Sequence, residues 1–63
     1  MATYWIYTKS GVKVGEFSIS EAAMAAGLEL MGSEEKVVKA RFQAACLGLG
    51  LNPKTHNKCI AAA

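Results

Sequence analysis

The chain switches its period once, at Ser18-Ile19-Ser20-Glu21. Before that point the residues alternate and favour extended backbone. After it, alanines and apolar residues recur at helical spacing. Strand-forming and helix-forming sequence are therefore segregated, which is the pattern of an α+β domain. Thr3 to Thr8 is rich in aromatic and β-branched residues, and Val12 to Phe17 can return antiparallel after the Lys9-Ser10-Gly11 turn. In a regular strand Tyr4, Ile6 and Thr8 share one face, and Thr3, Trp5 and Tyr7 the other. Val12 and Val14 then oppose Lys13, Gly15 and Phe17. Gly15 within the return strand signals a bulge or the close approach of another backbone.

The switch itself has the spacing of a capping box, Ser18-x-x-Glu21, with Ser20 as a competing N-cap two residues on. The first helix runs to about Met31 and is lined by Ala22, Ala23, Ala25, Ala26 and Gly27, small enough to let another element approach its axis. Gly32 suits a left-handed C-terminal position and Ser33 an N-cap, with Glu34 and Glu35 placed where the helix dipole favours anions. Glu35 and Lys39 are spaced as an i,i+4 pair. In the second helix Val38, Phe42, Ala45 and Leu49 form the expected buried stripe, broadened by Val37, Ala44 and Leu47. Gly48 and Gly50 weaken its end and Asn52-Pro53 stops it. The reading is one small α+β domain over 1–53, a β-hairpin packed on a two-helix hairpin (ββαα), followed by a polar, basic tail over 54–63.

Composition sharpens this. A chain of 63 residues that is 52% hydrophobic carries slightly more apolar sequence than an ordinary domain, yet a domain this short buries only about 60% of its unfolded surface. Part of the surplus is expected to be covered by a partner, and a homodimer is the simplest way to do it. No segment approaches the ~18–20 apolar residues of a membrane span, and Lys9, Lys13 and Glu16 interrupt any signal-like start. A cytoplasmic location with reduced Cys46 and Cys59 is the expectation.

The chemistry suggested by single residues is thin. Cys59 and His56 are three apart and would meet only on a helix, and no Asp exists to orient the histidine. Glu34 and Glu35 are already explained by the helix start. Cys46, His56 and Cys59 supply three of the four ligands a structural zinc wants. A Cys46–Cys59 disulfide would close a loop of about 14 residues and add roughly 3 kcal/mol in an oxidising compartment; free thiols are the default. Gly48-Leu49-Gly50 follows a helix, unlike a phosphate-binding loop, which precedes one. The expectation is a protein that is not an enzyme and uses no metal or cofactor.

Nucleic-acid binding is the alternative. Lys9, Lys13, Lys36, Lys39, Arg41, Lys54 and Lys58 are interspersed with five glutamates, so no basic stripe emerges from the sequence. Strand followed by two helices, with Gly32-Ser33-Glu34 and then Val37-Val38, resembles the layout of the ribbon-helix-helix DNA-binding dimers. That resemblance implies a transcriptional regulator that reads bases from a strand. The strand before the first helix departs from that pattern, because Val12, Val14, Glu16 and Phe17 offer little to read with, and an extra strand precedes it.

The aromatic cluster is the stronger candidate. A single helical layer covers one sheet face, so either Trp5 with Tyr7 or Tyr4 with Ile6 is left facing outward. Trp and Tyr dominate interface hot spots. Tyr4, Trp5 and Tyr7, flanked by Lys9 and Lys13, are therefore the expected partner-binding residues. The expected function is a protein-binding module, by class analogy an accessory or inhibitor protein of the phage or mobile-element kind that blocks a host complex. The end, Ala61-Ala62-Ala63, resembles the small apolar ends that bacterial unfolding proteases recognise.

Overall fold

The computed structural model describes residues 1–61. Its elements are β1 (Ala2–Thr8), β2 (Lys13–Ile19), α1 (Glu21–Met31), α2 (Glu34–Gly48), a 3-10 turn (Pro53–Thr55) and β3 (His56–Ile60). The hairpin and the two helices follow the expected order. The segment read as a tail does not stay apart from them. His56–Ile60 pairs antiparallel with β1, so the sheet has three strands in the order β2-β1-β3. Its sequence, HNKCI, is too short and too polar to signal a strand alone. The free edge of β1 supplies its hydrogen-bond partners, and the pairing ends with the Ala61 amide donating to the Thr3 carbonyl at 2.9 Å. Two of the three residues of the alanine end, Ala62 and Ala63, lie outside the described residues.

The helix boundaries come from local chemistry. Ser20, not Ser18, caps α1: its hydroxyl accepts from the Ala23 amide at 3.1 Å. The Ser18 hydroxyl instead pairs with Thr3 Oγ1 across the sheet at 3.1 Å, because Ser18 is still in the strand. Gly32 ends α1 with φ +80°, and Ser33 caps α2 by accepting from the Lys36 amide. The helix dipole is complemented by Glu34 and Glu35 as expected. Glu35 and Lys39 are not within ion-pair distance; the pairs formed among the described residues are Met1–Glu21 and Lys13–Glu16. Gly50, at φ +75°, turns the chain out of α2, and the Leu51 amide donates to the Cys46 carbonyl at 2.8 Å.

Gly15 marks a bulge, as expected, and what approaches it closely is a side chain, not another backbone. Gly15 pairs with Ile6 while Tyr7 pairs with Lys13, so Val14 is the extra residue of a β-bulge. A Cβ on Gly15 would also lie 2.6 Å from Leu49 Cδ1. The bulge changes which side chains share a face. Gly15 and Phe17 lie with Ile6 on the inner face, whereas Lys13 is thrown to the opposite face beside Tyr7. The expected grouping of Lys13 with Gly15 and Phe17 assumed unbroken alternation, and the inserted residue breaks it.

The core lies between the inner face and α2. Ile6, Phe42 and Cys46 form its centre, with Phe17, Ala45 and Leu51 packed around them, and Ile19, Val37 and Val38 are also buried. Tyr4 stacks on Phe17 at 5.2 Å, and Phe17 meets Phe42 at 6.2 Å. The expected stripe is therefore shifted toward Cys46. Leu47 projects outward, 71% exposed, and Leu49 lies over Gly15 at the edge of the core, 52% exposed. Helix α1 packs on α2 and contains no buried residue.

The α1–α2 contact depends on Gly27. A Cβ there would lie 2.8 and 2.9 Å from the two methyls of Val37. Val37 is buried and β-branched, so it cannot rotate away. Gly27→Ala is expected to lower stability by about 1–3 kcal/mol despite its better helix propensity. Gly48, with nothing within 4 Å of its Cβ position, is the internal contrast: Gly48→Ala should raise stability by about 0.5–1 kcal/mol. Paired chemical-denaturation curves check both signs.

Candidate functional site

The five candidate residues divide among three places. Tyr4 points inward and belongs to the aromatic ladder over α2. Trp5 and Tyr7 lie on the outer face of β1, opposite the helices. Lys9 sits in the turn after β1, away from both. Lys13 joins Trp5 and Tyr7 because the bulge at Val14 brings it to their face, where Glu16 also lies.

The outer face is built as follows. β1 is the central strand, so Trp5 and Tyr7 are flanked on both sides, by β2 residues Glu16 and Lys13 and by β3 residues Cys59 and Asn57. The Trp5 and Tyr7 rings are 6.3 Å apart and tilted. Lys13 Nζ lies 4.4 Å from the centroid of the Trp5 ring and 3.4 Å from Glu16 Oε2. The ammonium over the ring and the carboxylate beside it hold the indole against the sheet, so less side-chain freedom is left to lose on binding. Desolvation raises the Tyr7 hydroxyl pKa first, and the neighbouring Cys59 adds to that. Tyr7 is therefore a neutral donor throughout the physiological range. Cys59 and Asn57 could not be assigned to this face from sequence, because their placement follows from the pairing of β3 with β1.

The same strand separates the residues that a catalytic or metal-site reading would join. His56 and Cys59 are three apart on an extended strand, so they fall on opposite faces. The His56 ring donates through Nδ1 to the Asn52 carbonyl at 2.8 Å, with Thr55 Oγ1 at 3.0 Å from the same nitrogen. Cys46 is buried in the core and Cys59 is exposed, both free. Burial pushes the Cys46 thiol pKa up, away from the thiolate that attacks or ligates. Cys46, His56 and Cys59 do not converge.

Two further surfaces escaped the sequence reading. Helix α1 exposes Leu28, Leu30 and Met31, with Leu30 86% exposed. Beside them, Ala23, Ala26, Gly27, Ala40 and Ala44 line a shallow hollow of about 380 Å3 between the helices. The signal for it was present in the sequence, since α1 has apolar residues on every side and no single face to bury. The second surface is a groove of about 690 Å3 that gathers Lys9, Lys39, Lys54 and Lys58. These lysines are scattered in sequence and meet because β3 folds back between α2 and the β1–β2 turn.

The fold and the face together define a small α+β protein with an open-faced three-stranded antiparallel sheet backed by a helical hairpin. No helix among the described residues is long and apolar enough to cross a membrane. Comparison with protein-family models, with curated proteins and with solved structures found no match.

Proposed function

We propose that this chain is a non-enzymatic protein-binding module whose anchors are Trp5 and Tyr7. The observation that carries this reading is the central position of the two rings on a sheet face that no helix covers, with Lys13 set over the indole. Aromatic residues surrounded by polar neighbours are the usual composition of a hot spot. A small non-catalytic chain with such a surface fits an accessory or inhibitor protein of the phage or mobile-element kind, acting in the cytoplasm by occluding a host complex. The surplus apolar surface on α1 and the free edges of β2 and β3 support a homodimer as its working form.

The test is recovery of the partner from nuclease-treated host lysate by the wild-type chain and by Trp5→Ala and Tyr7→Ala. Trp5→Ala is expected to weaken binding by about 2 kcal/mol, roughly thirtyfold, while the melting temperature stays within a few degrees. Undiminished recovery by both variants would refute the aromatic anchor. A strictly monomeric mass at micromolar concentration would refute the dimer.

One observation favours the second reading, a ribbon-helix-helix-like DNA-binding regulator. β2, the strand before the first helix, is an edge strand and can pair with its copy in a dimer. That reading expects sequence-specific duplex binding that Lys13→Ala weakens at every salt concentration.

A further inference from the structure

The groove between α2, the 3-10 turn, β3 and the β1–β2 turn brings together Lys9, Lys39, Lys54 and Lys58, one from each element. The chain has seven Lys and Arg side chains and five glutamates. The groove holds four of the bases and none of the acids, so outside it acids outnumber bases. None of its lysines is within ion-pair distance of a carboxylate among the described residues. A concentration of unpaired ammonium groups is unfavourable to the isolated chain and favourable only when an anion neutralises it.

We propose that this groove is a phosphodiester-binding site that holds the backbone of a single nucleic-acid strand. Three features select that ligand. The groove is open and about 690 Å3, and its charges come from four separate elements, which suits a line of phosphates better than one enclosed anion. Its cations are all lysines, point charges that neutralise phosphate without the planar fork used to read bases. Between them, Gln43 supplies a side-chain amide donor, while Phe42 is buried and covered by Lys58 Nζ at 5.1 Å from its centroid. The ring is thus not a stacking platform, and binding is independent of sequence. The site does not rest on the Trp5–Tyr7 face: none of the groove residues is one of the anchors.

The measurement is fluorescence anisotropy of a labelled 12-nucleotide single strand against salt concentration. Wild type should show log K falling with log salt at a slope of about −2 to −3, for three to four phosphates at about 0.7 each. Lys39→Gln and Lys54→Gln should each flatten the slope by about 0.7, and the double variant by about twice that. Lys36→Gln, an exposed lysine on the same helix outside the groove, should leave the slope unchanged, and so should Lys13→Ala and Trp5→Ala. Thermal melts confirm that each variant is folded. The proposal is overturned if no salt-dependent binding is seen at 50 mM salt, or if Lys36→Gln flattens the slope as much as Lys54→Gln. It is equally overturned if inorganic phosphate alone competes fully at low millimolar concentration, or if polyglutamate of equal length binds as tightly, since either result makes the groove a general anion or acidic-protein site.

Discussion

Ile6→Ala is expected to leave too little stability for a cooperatively folded chain. Ile6 is completely buried at the centre of the middle strand. It touches the layer that holds Phe42 and Cys46. Removing three heavy atoms there costs about 2–5 kcal/mol, of which part is the cavity left behind. A chain of 63 residues has total stability near the lower end of the usual range of about 5–15 kcal/mol. Ile6→Val, which keeps most of the volume, should cost about 0.5–1.5 kcal/mol and remain folded. Far-ultraviolet circular dichroism with urea titration separates these outcomes. The neighbouring Trp5→Ala gives the decisive contrast. If Trp5→Ala unfolds the chain as Ile6→Ala does, the outer face is part of the core and not a binding surface.

Phe42→Ala is the second large effect, at about 3–5 kcal/mol. Phe42 is the point where α2 meets the sheet. Phe17 lies 6.2 Å away, and Tyr4 continues the ladder at 5.2 Å from Phe17. On the other side the Lys58 ammonium sits over the Phe42 ring, so the same side chain anchors β3. Its loss should therefore free β3 as well as loosen α2. Hydrogen exchange in Phe42→Leu, a milder change that keeps the fold, is the sharper readout. The amides of His56 to Ile60 should lose protection before those of β1. Equal loss along β1 and β3 would show that Phe42 does not hold the third strand in particular.

These effects also show why part of the molecule is legible in its sequence. The hairpin, the two helices and their junction are written in local chemistry: β-branched and aromatic alternation, a serine N-cap, a left-handed glycine at residue 32 and a second serine cap at residue 33. Each of those acts over four residues or fewer. The capping serine was ambiguous because Ser18 and Ser20 both satisfy the local rule, and only the cross-strand partner Thr3 decides between them. The burial of Cys46 in place of Leu47 had the same origin. Both positions border the stripe, and the packing of α2 against Ile6 and Phe17 buries Cys46.

The candidate site was legible to a similar depth. An outward pair on β1 was expected, but two pairs were possible, because alternation says which residues share a face and not which face the helices cover. The position of α2 over Ile6 and Phe17 decides for Trp5 and Tyr7 and removes Tyr4 from the set. Lys13 joins them through the bulge at Val14, and Cys59 and Asn57 through the pairing of β3.

The sequence by itself determined where strands give way to helices, where the first helix ends and the second begins, and that small residues let the helices pack closely. Those outcomes depend on interactions between near neighbours, whose geometry each residue type carries with it. The tertiary structure alone decided that residues 56–60 become a strand and which aromatic face stays open. It alone decided that four distant lysines share one groove. Each of these depends on contacts between segments far apart in sequence. For β3, a free strand edge already in place supplies hydrogen bonds that the segment's own residues would never have requested.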